Sequence, residues 1–157
     1  MIYLECFNDE TTVRALGFPR AKLSHEPAKS RVAHALQSSR RSLDVGLVDQ
    51  DPQGSCPRYL MEFVEVESLP GLGLRLLKHP GNGQHLIEVQ PDLEPWLYRV
   101  GSDAGVKPQD HHLPVKHSDL HKNHKQHRRH LTAYIDACRA AGSPHLAKLA
   151  EWLAFAS

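Results

Sequence analysis

The sequence predicts an α/β domain: a mostly parallel sheet flanked by helices, with a helical C-terminal segment. Three observations carry this. Apolar runs of strand length at residues 1–4 and 43–48 are separated by stretches with helical spacing, the order produced when crossover helices link strands of one sheet. Two later runs, 73–78 and 85–89, flank Pro80-Gly81-Asn82-Gly83, a strong turn signal. Beyond about residue 118 the apolar period is helical. At 157 residues the chain is long enough for one domain with a proper core. Residues 1–105 read as an α/β core. Residues 106–157 read as a basic, His-rich helical segment packed on the same domain.

In chain order, residues 1–6 read as a strand. Asn8 or Asp9 can cap a helix running to about Leu16, ended by Gly17. Phe18-Pro19-Arg20 breaks the chain. A second helix from about Ala28 to Ser38 carries Val32, Ala35 and Leu36 at helical spacing, with Lys29, Arg31, Arg40 and Arg41 around it. Residues 43–48 form a buried strand, followed by a loop of turn formers, 51–57. Residues 59–66 fit a helix or a strand. Pro91 or Asp92 opens a helix holding Leu93, Trp96 and Leu97, expected to end before Gly101. Residues 101–116 read as a loop and 118–141 as one helix. After Gly142-Ser143-Pro144, a last helix, 145–155, places Leu146, Leu149, Trp152 and Leu153 on an apolar stripe, for the core or a partner surface.

Both N-terminal strands end on acids. Glu5 follows the first, and Asp49 and Asp51 follow the second. Strand residues alternate faces, so Asp49 and Asp51 are expected on the same side. Sites in open α/β sheets lie at the carboxyl ends of strands. Three carboxylates gathered there suit a hard divalent cation, and Mg²⁺ takes only one or two direct carboxylates plus waters and phosphate. That outlines a phosphodiester chemistry site. The plainer alternative is that Asp49 and Asp51 cap the loop before Pro52 and Glu5 is merely exposed.

Glu5-Cys6-Phe7-Asn8-Asp9, followed by Ala15-Leu16-Gly17, resembles the opening strand and helix of a Toprim domain, whose motif usually runs Glu-Gly-x-x-Asp. Asp49-Gln50-Asp51 after Val45-Gly46-Leu47-Val48 resembles that family's Asp-x-Asp motif. The likeness covers roughly residues 1–60 and extends more weakly to about 100. It is shared with the Toprim parts of topoisomerases, primases, a small ribosomal-RNA maturation nuclease and OLD-type nucleases. The resemblance implies a metal-dependent phosphoryl-transfer centre, with Mg²⁺ or Mn²⁺ held by Asp49 and Asp51, and Glu5 as a further ligand or general acid/base. Small stand-alone Toprim-like proteins also have a Leu-Glu-x-Trp segment after a late strand. Here that is Leu93-Glu94-Pro95-Trp96, which makes Glu94 a fourth catalytic candidate; its plainer role is a first-turn acid favoured by the helix dipole. Cys6 departs from the family glycine. The implied activity is a nuclease cutting DNA or RNA, acting as a subunit beside an ATPase in a bacterial defence system. The alternative is a non-catalytic Toprim-like subunit that binds a partner protein or nucleic acid. A complete topoisomerase or primase is not expected, because no tyrosine-nucleophile domain or zinc module accompanies the motifs.

Seven of the twelve histidines fall between His111 and His130, interleaved with Lys116, Lys122, Lys125, Arg128 and Arg129. A shared zinc site is disfavoured, since steps of three residues drift by about 60° around a helix. A solvated basic helix is the simple reading. The functional one makes Lys116, His121, Lys122, Lys125, Arg128 and Arg129 phosphate contacts, with His121 nearest the centre. Net charge is only +1, so nucleic-acid binding has to come from such a local patch. Three widely spaced cysteines give no disulfide framework. No run is long enough for a membrane span, and the start does not read as a signal peptide. A cytoplasmic protein is expected, and an oligomer is compatible with the sequence.

Overall fold

The computed structural model describes residues 1–39 and 41–156; Arg40, counted above in the basic flank of the second helix, lies outside the described residues. The chain forms one six-stranded sheet: β1 (Ile2–Leu4), β2 (Leu23–His25), β3 (Val45–Asp49), β4 (Val64–Leu69), β5 (Leu74–Lys78) and β6 (His85–Val89). Their order is β2-β1-β3-β6-β5-β4. β2, β1, β3 and β6 are parallel, while β5 runs antiparallel to both β6 and β4. The sheet is therefore mostly parallel, as expected of a Toprim-like α/β fold.

The helices are α1 (Phe7–Ala15), α2 (Lys29–Ser39), α3 (Leu93–Ala104), α4 (His117–Lys122), α5 (His124–Ala140) and α6 (Pro144–Leu153). Strand alternation separates two apolar clusters. Ile2, Leu4, Val45, Leu47, Ile87 and Val89 join Val13 of α1, Trp96 and Leu97 of α3, Ile135 of α5 and Trp152 of α6. On the opposite face Val48, Leu77 and Leu86 meet Val32 and Leu36 of α2 and Leu60 of a 3-10 turn, Arg58–Glu62. The C-terminal helices thus share the larger core with the sheet. Leu146, Leu149, Trp152 and Leu153 are buried there, so the stripe on the last helix is core.

Several expectations change. β2 was not foreseen, because three residues between Pro19 and Pro27 carry too short a pattern to read. The ambiguous segment 59–66 divides between the 3-10 turn and β4, an edge strand whose Val64 and Val66 stay exposed. α1 starts earlier than Asn8, because Cys6 is its N-cap. α3 runs past Gly101, which sits where a Cβ would meet the Tyr134 hydroxyl at 1.9 Å. Gly101 marks a close helix contact, and the left-handed Gly105, φ 73°, is the true stop. The expected helix 118–141 is broken at Asn123 into α4 and α5.

Candidate active site

The chain passes from β1 to β2 on one side, then returns to place β3 on the other side of β1. That reversal is the topological switch point, where open α/β sheets bind ligands at the carboxyl ends of their strands. Glu5 leaves β1 there, Asp49 ends β3, and the β6 end leads into α3 with Asp92 and Glu94. Asp49 continues the row of Val45 and Leu47, so its side chain lies on the helix-rich face with Glu94.

Hydrogen bonds lock this corner. The Asp49 backbone N–H donates to Glu5 Oε2 at 3.2 Å, and Asp49 Oδ1 accepts from the Leu93 N–H at 2.9 Å. Asn8 Nδ2 donates to Glu94 Oε1 at 2.8 Å, and His121 Nδ1 lies 3.1 Å from the same oxygen. The second oxygens of Asp49 and Glu94 accept no hydrogen bond from any described residue. Cys6 and Asp9 form a reciprocal capping box: Cys6 N–H donates to Asp9 Oδ2 at 2.7 Å, and Asp9 N–H donates to Cys6 Sγ at 3.4 Å. Cys6 has ordinary extended backbone, φ −140°. Its position therefore makes no demand that only glycine meets, and its sulfur has a capping task.

The acids are crowded and desolvated. Burial pushes the Asp49 carboxyl up, and Asp9, Glu5, Glu94 and Asp92 push it further by repulsion. Burial likewise raises Asp9, with Glu5 and Glu94 adding repulsion against its two hydrogen bonds from Cys6. Burial raises Glu5 too, opposed by the Asp49 N–H and by Lys29. Lys29 Nζ donates to the Gln50 carbonyl at 2.9 Å, and its charge draws the Glu5 carboxyl back down.

Two clefts open on the cluster. One, of about 560 Å³, is lined by Glu5, Asn8, Asp49, His121 and Lys122, with Phe7 and His124 at its side. The other, of about 380 Å³, is lined by Asp49, Asp92, Glu94, His117, His121 and Lys122. Of the expected site residues, Glu5, Asp49, Glu94, His121 and Lys122 therefore converge. Asp51 lines neither cleft. β3 ends at Asp49 and Asp51 has φ 43°, so strand alternation does not extend to it. Its exposed carboxylate folds over its own turn, at the place where a Cβ on Gly54 would stand, 1.9 Å away. Lys116 is exposed before α4 and lines neither cleft; Lys125, Arg128 and Arg129 lie along α5 beside an adjoining groove that meets the first cleft at Phe7 and His124. Sequence reasoning missed Asn8, Asp9, Lys29 and Asp92 as site residues. Asp9 had a signal, as the last residue of the Glu5–Asp9 motif. Asp92 had one too, as an acid directly after a strand.

The donor set is all oxygen, desolvated and mutually repelling, which fits a hard divalent cation. Among the described residues no group of three or more His, Cys, Asp or Glu side chains is arranged to hold a metal ion. Mg²⁺ needs no such cage, because waters and substrate phosphate complete its shell. The same finding leaves the histidine-rich segment without a zinc-type site among the described residues. No helix among them is long and apolar enough to cross a membrane.

No family model, curated protein or solved structure matches this chain. The Toprim resemblance therefore rests on the motif residues themselves and on the fold that carries them.

Proposed function

We propose that the chain is a metal-dependent phosphodiesterase acting on DNA or RNA, with its centre at the Glu5, Asp49 and Glu94 corner. The observation that carries this is the convergence of those acids from three parallel strand ends at the switch point, in a cleft edged by Lys122 and His121. A bound Mg²⁺ or Mn²⁺ supplies Lewis-acid activation of water and neutralises phosphate charge. Asp49 and Glu94 each offer one open carboxylate oxygen to it. Glu5 braces Asp49 through the backbone N–H and is the further ligand or base. Lys122 offers a point charge to phosphate at the rim. Asp9 is a positioning residue, held in the capping box beneath. The Asp51 role narrows to the loop outside the clefts.

A second reading is favoured by a specific observation: Glu5 and Asp49 each already hold a backbone N–H. Under it the acids are structural, and the chain is a non-catalytic subunit that binds a partner protein or nucleic acid. An ATPase partner, a defence role and a cytoplasmic setting extend either reading through the resemblance. The deciding experiment is hydrolysis of labelled DNA and RNA with Mg²⁺ or Mn²⁺, comparing wild type with Asp49→Asn. The phosphodiesterase reading expects wild-type cleavage and a loss of about 100-fold or more in the variant. Equal rates in the two proteins favour the subunit reading.

A further inference from the structure

We propose that the groove between α1 and α5 is a track for a single strand of nucleic acid that leads into the acidic cleft. What lies at the end of the track rests on the phosphodiesterase reading; the track itself stands on other observations.

The first is continuity. The 560 Å³ cleft shares Phe7 and His124 with a narrower pocket of about 210 Å³. That pocket shares Thr11 and Arg128 with a third, of about 540 Å³, which adds Arg14 and Arg129. The three form one path, from the carboxylates at Asp49 along the α1/α5 seam.

The second is charge. Arg14, Arg20 and Arg128 all converge on Glu10 Oε1, at 4.0, 3.1 and 3.9 Å. One carboxylate thus orders three guanidinium groups and cannot neutralise them. Lys122, Lys125 and Arg129 pair with no carboxylate among the described residues. A positive groove running away from an acidic corner suits a phosphate backbone whose scissile group has to reach that corner.

The third is stacking. Where the first two of these pockets join, Phe7 is the middle ring of a three-ring stack, with His25 at 4.0 Å on one face and His124 at 4.5 Å on the other between ring centroids. The outer histidine faces are therefore the ones offered to a base, and Phe7 holds them in place. The His124 Nε2 has no hydrogen-bond partner. Base stacking on aromatic side chains beside a cationic groove is how sequence-tolerant single-strand binding works. A duplex offers no free base face to such a stack, so the ring cluster selects an unpaired strand.

The test is fluorescence anisotropy in chelator, so that binding is read without hydrolysis. The probes are a labelled oligonucleotide as single-stranded DNA, as single-stranded RNA and as duplex DNA of the same sequence. Single-strand binding is expected to be at least about tenfold tighter than duplex binding, whichever sugar the strand carries. The Lys125→Ala/Arg129→Ala double variant removes two phosphate contacts, so its salt slope falls by about 1.4 in magnitude. Phe7→Ala weakens single-strand binding by about tenfold. Phe7→Leu, which keeps apolar volume at the start of α1, weakens it similarly, so the loss cannot be assigned to unfolding. Variants that bind the single strand as wild type does, or a duplex bound as tightly as the strand, overturn the track. Intact track binding without metal-dependent cleavage overturns the phosphodiesterase reading alone, and cleavage with variants that bind normally overturns the track alone.

Discussion

Asp9 and Glu10 are neighbours on α1, both buried, at 2% and 9% exposure. Their charges are handled in opposite ways. Glu10 is surrounded by Arg14, Arg20 and Arg128. Asp9 faces away from those cations, toward Glu5 and Glu94, and its carboxyl is driven up by burial and by like charge. Burying a carboxylate without a counter-charge is costly, while pairing it removes much of that cost. A single step along the helix, about 100° around its axis, thus divides a compensated acid from one crowded by like charge. Perturbed carboxylates lining a cleft are the pattern by which candidate functional sites are recognised.

The largest expected effect tests the uncompensated side. Asp49→Asn should abolish metal-dependent hydrolysis, by about 100-fold or more, and at the same time raise the stability of the metal-free protein by about 1 kcal/mol. The amide Oδ1 can still accept from the Leu93 N–H, so the backbone contact survives while the repelling charge goes. Hydrolysis rates and chelator-treated melts on the same preparation check both signs. A variant that loses stability in chelator would show that Asp49 is a structural acid like Glu10.

The pH dependence follows the same contrast. Asp49 in the folded chain titrates at about 8, against an ordinary value of 3.8. Between those values the folded state binds more protons than the unfolded state, so stability falls as pH rises. The contribution is complete below the lower value and is lost through the upper one. Melts in chelator should therefore decline across that window. Added Mg²⁺ should raise the melting temperature more at its alkaline end, where the acids are ionised, since a ligand stabilises in proportion to its affinity for the folded state. A chelated protein whose melting temperature climbs with pH through this window contradicts the assigned crowding.

On the compensated side, Glu10→Gln should have a smaller effect, in the opposite direction to Asp49→Asn. The three arginines lose their common partner but are roughly half exposed, and exposed ion pairs contribute little. A stability loss of about 1 kcal/mol is expected in urea melts, with hydrolysis lowered only through looser strand binding.

The sequence carried the acidic corner to different depths. Glu5 and Asp49 could be read because each ends an apolar run, and a strand end is a fixed direction in a parallel sheet. Glu94 was legible through its place after β6 and through the resemblance of Leu93-Glu94-Pro95-Trp96 to a family segment. Asp51 lies off the two clefts because the period-two rule stops where the strand stops and a left-handed residue redirects the loop, though its charge still bears on Glu5 and Asp92. Gly101 misled for the opposite reason: a glycine inside α3 serves a contact with Tyr134 on α5, and long-range packing leaves no local signal. The helix break at Asn123 was hidden in the same way. It separates His121, which reaches Glu94, from His124, which stacks on Phe7. One basic run therefore supplies two neighbouring but different environments.

His121 gives the finest test of the contrast. Its side chain is 66% exposed, yet its Nδ1 lies 3.1 Å from Glu94 Oε1 in a corner dominated by carboxylates. Exposed pairs of this kind add little to folding, so His121→Gln should leave the melting temperature near wild type, within about 0.5 kcal/mol. Glu94 also keeps its hydrogen bond from Asn8, and its position survives the change. If His121 positions Glu94 or a substrate phosphate at the rim, its loss should lower hydrolysis by about fivefold. A variant that cleaves at the wild-type rate would reduce His121 to a surface partner of Glu94. Lys122, which lines both clefts, would then carry the rim contact to phosphate.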